Sequence, residues 1–71
     1  MKKYVYAVTY HIEKNDRTFL IYTIRTDDDS YYYFGKKAVK FFGRKRDAEQ
    51  YAQNEVKRDW EVGLESRYQF I

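Results

Sequence analysis

Residues 3–13 alternate strictly in hydropathy, and after a four-residue turn residues 18–26 form a second aromatic and β-branched run, a pattern that constrains the fold more than any other feature of the chain. Tyr4, Tyr6, Val8, Tyr10 and Ile12 fall on one side of an extended backbone, with Val5, Ala7, Thr9 and His11 on the other. Side chains of a strand point to alternate faces, so a period of two in aromatic and β-branched residues predicts a strand over 3–13. Lys14-Asn15-Asp16-Arg17 supplies the turn, because Asn and Asp tolerate left-handed backbone and bond their own main chain. Residues 18–26 then predict the returning strand of a hairpin. Its centre is apolar on both sides, as expected of a middle strand covered on two faces.

Asp27-Asp28-Asp29-Ser30 reads as the next turn, and Tyr31 to Phe34 as the start of a third strand. Gly35-Lys36-Lys37 either bulges that strand or closes it in a tight turn. Residues 38–42 either continue it or form a short fourth one. After Gly43 the period lengthens. Ala48, Tyr51, Ala52, Val56 and Trp60 recur at i, i+3, i+4, i+8 and i+12, which predicts an amphipathic helix over 45–61 with Trp60 in the core. Gly63 is a natural stop, and Leu64 to Ile71 alternate again as a last strand. The expected fold is therefore α+β, one small domain over 1–71. A small antiparallel β-sheet of three to five strands packs against one amphipathic helix, in the order β-β-β(-β)-α-β.

Composition limits what such a domain does. A chain of 71 residues buries only ~60% of its unfolded surface, and large side chains must supply the core. Nine Tyr, five Phe and Trp60 meet that need, and they exceed what one small interior holds, so some are expected at the surface. The absence of Cys excludes a disulfide framework and a thiolate metal site. His11 is the single histidine and has no partner at catalytic spacing, so a non-enzymatic protein without cofactor or metal is expected. The Asp27–Asp29 run lacks the alternate ligands, Gly and terminal Glu of a calcium loop. No apolar run approaches the ~20 residues of a membrane helix. The start, Met1-Lys2-Lys3, is basic but is not followed by the apolar stretch of a secretory signal, so a cytoplasmic location is expected. A Lys-, Tyr-, Ile- and Asp-rich chain with no Pro is typical of AT-rich genomes and fits a phage or mobile element.

The net charge is +3, and its excess is confined to one segment. Residues 1–35 carry five basic and five acidic groups, residues 47–71 three and six, and residues 36–46 six and none. Lys36, Lys37, Lys40, Arg44, Lys45 and Arg46 thus form a basic strip. Such a strip neutralises phosphates, and neighbouring Tyr31 and Tyr33 would stack on unpaired bases. Lysines on an edge strand also discourage sheet-to-sheet association.

The stretch Phe42-Gly43-Arg44-Lys45-Arg46-Asp47-Ala48-Glu49-Gln50-Tyr51 resembles the strand-to-helix junction of the arm-type DNA-binding domain of phage tyrosine integrases. Phe42, Lys45, Arg46, Asp47, Ala48 and Tyr51 follow its pattern, whereas Arg44 stands where that family has Thr or Ser. The resemblance implies a three-stranded antiparallel sheet packed on one helix, with the sheet in a major groove. The expected function is a small accessory protein that binds nucleic acid through residues 36–46 and nearby tyrosines. The alternative is a protein-interaction module, an inhibitor of a host protein or a homodimer formed through an aromatic sheet face.

Overall fold

The computed structural model describes residues 3–71; Met1 and Lys2, which belong to the basic start, lie outside the described residues. Strand β1 (Tyr4–Glu13) turns through Lys14-Asn15 into β2 (Asp16–Arg25), pairing antiparallel from Glu13↔Asp16 to Tyr4↔Arg25. The two-residue turn places Lys14 at φ 55, so the left-handed position falls on the lysine and not on the neighbouring Asn15 or Asp16. Helix α1 (Asp29–Lys37) follows, then the short strand β3 (Lys40–Phe42), the long helix α2 (Lys45–Glu61) and β4 (Glu65–Phe70). The sheet order is β3-β1-β2-β4. The fold is α+β, with α2 covering one face of the sheet.

Three expectations need correction. Tyr31 to Phe34 are helical, because Asp28 caps α1 by accepting a hydrogen bond from the Ser30 amide and Asp29 and the lysine pair complement the helix dipole at its two ends. The i, i+3 spacing of Tyr31 and Phe34 then turns both rings to the sheet, against Phe41 at 5.8 Å and Tyr22 at 4.6 Å between ring centroids. The sheet is also mixed. Both β2 and β3 run antiparallel to β1, α2 carries the chain back, and β4 therefore runs parallel to β2, from Asp16↔Glu65 to Ile21↔Phe70. Finally, Trp60 is 62% exposed, while its neighbour Asp59 is buried. At about 100° per residue, i+11 lies about 20° around the helix from Ala48, inside the arc of about 80° that Ala48, Ala52 and Val56 span, whereas i+12 lies about 120° from Ala48, outside that arc. The inward stripe is Ala48, Ala52, Val56 and Asp59.

The main core lies between that stripe and Val8, Phe19 and Ile21, with Tyr6, Phe42, Tyr51 and Tyr68 packed around it. Ala48 and Ala52 let the helix approach closely, so the sheet provides the bulk. On the other face α1 covers the end of the sheet where Ala7 and Ile24 are buried. The middle strand β2 is thus covered on both faces, as its two-sided apolar centre requires.

At the end of the helix stripe, Asp59 accepts a hydrogen bond from Arg17 Nε at 2.8 Å and a second from Arg17 Nη2, a bidentate pair. Ser66 Oγ donates to the same carboxylate at 2.7 Å. The guanidinium also lies 4.6 Å from the Phe19 ring centre and 5.0 Å from that of Tyr10. Hydrogen bonding to Arg17 outweighs desolvation and holds the Asp59 carboxyl below the usual carboxylate range. The helix ends in a Schellman motif: Gly63 N–H bonds Trp60 O, Leu64 N–H bonds Asp59 O, and Gly63 takes φ 85. Asn15 of the hairpin turn grips this end, its side chain donating to Gly63 O and its carbonyl accepting from Glu65 N–H.

Asp59→Asn is expected to cost about 3 kcal/mol, because it leaves Arg17 without its charge partner at a largely buried site. The depressed carboxyl makes the pair's contribution complete above the ordinary Asp value of about 3.9 and lost as pH falls through the lower folded value. Urea unfolding at a series of pH values between 5 and 2 should show a shallower acid loss for the variant than for the wild type. The two ordered glycines outside the α2 junction should respond in opposite ways. A Cβ on either meets nothing within 4 Å, so backbone preference decides. Gly35→Ala, within α1, is expected to stabilise by about 0.5–1 kcal/mol, and Gly63→Ala to destabilise by about 1–2 kcal/mol, as read from thermal midpoints.

Candidate functional site

The eleven-residue basic segment divides into two groups on either side of β3, which spans about 10 Å at strand rise. Lys36 and Lys37 form the last turn of α1. Arg44 is the N-cap of α2, and Lys45 and Arg46 open that helix. Lys40 begins β3 between them, with its ammonium 5.5 Å from the ring centres of both Phe42 and Tyr51. All six side chains are exposed. Lys40 alone lies on an edge strand, so protection of a sheet edge accounts for one cation of the six.

Ion pairing separates the arginines of this segment from those of the rest of the molecule. Arg17 pairs with Asp59, Arg25 with Asp27, Arg58 with Glu55 and Arg67 with Asp16. The two remaining arginines, Arg44 and Arg46, pair with no carboxylate among the described residues, and neither do Lys36, Lys37, Lys40 and Lys45. The N-terminus of α2 adds its own partial positive charge at Arg44, which provides no side-chain cap to the first-turn amides. Lys45 Nζ rests 4.8 Å from the Phe70 ring centre, at the far end of β4.

The tyrosines sit beside the first group. Tyr31 is 39% exposed and packs edge-on against Phe41, so its ring is partly committed to the fold. Tyr33 is 54% exposed and lies beside Lys37, whose ammonium is 4.8 Å from the ring centre. Hydrogen bonding to the Tyr33 phenol holds the Lys37 ammonium above its ordinary value, keeping it charged. Tyr32, absent from the sequence-based set, is the most exposed aromatic ring described, at 82%. The signal for it was local: once Asp28 is read as a helix cap, Tyr31 and Phe34 face inward and Tyr32 faces outward.

Two depressions flank these residues. Tyr32, Tyr33, Lys36 and Lys37 line an apolar one of about 300 Å³. Thr9, Tyr10, Tyr22, Tyr33, Phe34 and Lys37 line a second, of about 380 Å³, between α1 and the sheet. Tyr33 and Lys37 belong to both. A third, of about 320 Å³, lies at the opposite end of α1 and is lined by Arg25 and Asp27 to Asp29. Its aspartates have structural partners, Asp28 capping α1 and Asp27 accepting from Arg25 at 2.9 Å. Helix α1 is therefore acidic at its start and basic at its end, and an anion is favoured only at the latter.

His11 and Glu13, 3.9 Å apart, are both exposed on β1, and the remaining carboxylates are dispersed or ion-paired. Among the described residues, no helix is long and apolar enough to cross a membrane. Comparison with protein-family models, with curated proteins and with solved structures yields no match. The junction that resembles the integrase arm domain forms the strand and helix expected of it, β3 and α2. The sheet around it is four-stranded and mixed, unlike the three-stranded antiparallel sheet that the resemblance implies.

The geometry of this surface rests on the α1 cap. Asp28→Ala is expected to destabilise α1 by about 1 kcal/mol. Faster amide exchange confined to residues 30–38, with β1 and β2 unchanged, would show that the cap fixes α1 locally.

Proposed function

We propose that this protein binds nucleic acid through residues 36–46 and the adjoining tyrosines of α1. The observation that carries this reading is the contrast in pairing. Four arginines are engaged by carboxylates within the fold, whereas the two in the strip stand exposed beside four unpaired lysines. Exposed cations free of internal carboxylates release counterions when they meet phosphates, and this release drives nucleic-acid association. The cations lie on three consecutive elements, with Lys36 and Lys37 on the α1 face, Lys40 and the start of α2 on the other, and the β3 edge between them. The aromatic sheet face of the alternative, protein-binding reading is largely under α2, where Tyr6, Phe19, Phe42 and Tyr68 pack on the helix.

Fluorescence anisotropy with labelled single-stranded and duplex oligonucleotides, at low and near-physiological salt, tests the proposal. Saturable binding with a steep negative log–log salt dependence is expected, at about 0.7 per phosphate contact on single strands and 0.9 on duplex. Arg44→Glu with Arg46→Glu should weaken binding at least ten-fold and leave the thermal midpoint unchanged, since both are exposed and unpaired. Lys57→Glu, on the outer face of α2, serves as the control and should bind as the wild type. Absence of binding at low salt, or full binding by the double variant, would overturn the reading.

A further inference from the structure

We infer that the preferred ligand is a single strand, with unpaired bases seated in the two depressions that flank Tyr33 on α1. This inference rests on the nucleic-acid reading above and adds the class of ligand and the place where its bases lie.

Phosphate attraction alone gives no preference for a single strand, because a duplex carries the denser backbone charge. The surroundings of Lys36 and Lys37 do distinguish them. Their neighbours are aromatic rings: Tyr32 is 82% exposed and Tyr33 54% exposed. A duplex offers phosphates and base edges to a protein surface, while the flat faces of its bases are consumed by stacking. Exposed rings beside lysines gain contact only from bases that are free to unstack.

The depressions supply room for such bases. The first, of about 300 Å³, is lined by Tyr32, Tyr33, Lys36 and Lys37 and is largely apolar, a setting for a base face. The second, of about 380 Å³, is lined by Thr9, Tyr22, Tyr33, Phe34 and Lys37 and by Tyr10, whose own ring turns to the other face against Phe19. Tyr33 is the partition between them, and the Lys37 ammonium rests 4.8 Å from its ring centre. A strand crossing the partition sets one base on each side and brings the linking phosphate to Lys37. The acidic start of α1, Asp27 to Asp29, lies at the other end of the helix and repels the backbone there. The strand therefore continues from Lys37 around the β3 edge to Lys40 and the Arg44–Arg46 group on the other face.

The test uses the full chain with four labelled probes at one salt concentration: (dT)12, (rU)12, an abasic 12-mer and a 12-base-pair duplex. At least one of the two intact single strands should bind ten-fold or more tightly than the duplex and the abasic strand. Tyr32→Ala with Tyr33→Ala should lose roughly ten-fold or more on the preferred strand. Its salt slope should be unchanged, because no phosphate contact is removed. Circular dichroism checks that this variant remains folded; should it not, Tyr32→Ala alone, which alters the more exposed ring, carries the same expectation at about five-fold or more. Duplex or abasic binding equal to that of both intact strands, or full binding by a folded tyrosine variant, overturns the inference while leaving the basic strip in place. Loss of all binding in Arg44→Glu/Arg46→Glu together with a retained preference for intact strands in the wild type supports both. Failure of every probe to bind at low salt overturns the inference and the reading beneath it.

Discussion

The Arg17–Asp59 pair is the constraint on which the rest of the fold depends. It joins residues 42 positions apart, at the beginning of β2 and the end of α2, and through Ser66 it includes β4. A small domain with few fully buried large side chains has little apolar surface with which to fix the angle of a helix on its sheet. A bidentate ion pair backed by two aromatic rings is directional where hydrophobic contact is not. It sets the rotation of α2 about its axis, and that rotation decides which residues face the core. Because α2 is held at its far end, the N-terminal end with Arg44 to Arg46 projects from a fixed base.

The strands and the long helix were legible in the sequence because each carries one uninterrupted periodicity. Strand β1 and helix α2 match the boundaries read from alternation and from the Ala48–Val56 stripe to within a residue. Helix α1 was hidden because Tyr and Phe favour strands, and three consecutive tyrosines satisfy either period. What decided the matter was Asp28, whose capping bond has a cost and a geometry that propensity does not describe. The direction of β4 was hidden as well, since alternation is the same in parallel and antiparallel strands. It follows instead from counting chain reversals, once β3 is known to be short and α1 to be a helix. Asp59 escaped notice because a carboxylate on an apolar stripe looks like an error until its partner, 42 residues upstream, is known.

The candidate site shows the same division. Its cations were evident as a run in the sequence, but their meaning depends on which acids they meet, and that is a property of the fold. Had the strip formed one continuous bulged strand, its cations would have lined a single stretch of sheet edge. A helix followed by a strand of three residues instead places Lys36 and Lys37 beside exposed tyrosines and sends Arg44 to Arg46 to the start of the next helix.

Trp60 has a role that its burial does not suggest. Its indole Nε1 donates to the carbonyl of Ser66 at 3.0 Å. The amides of Glu65 and Ile71 bond β2-side carbonyls, at Asn15 and Ile21, so the main-chain groups of odd-numbered β4 residues point toward β2 and those of even-numbered ones toward the free edge. Ser66 O is therefore an acceptor on the open edge of the sheet, and the tryptophan occupies it. A foreign strand arriving along β4 finds its first docking group already taken, and only the Tyr68 and Phe70 main chain remains to be read. At the other edge, β3 presents three residues and opens on a lysine. Lengthening of the sheet is thus hindered at one border by a helix side chain and at the other by brevity and charge.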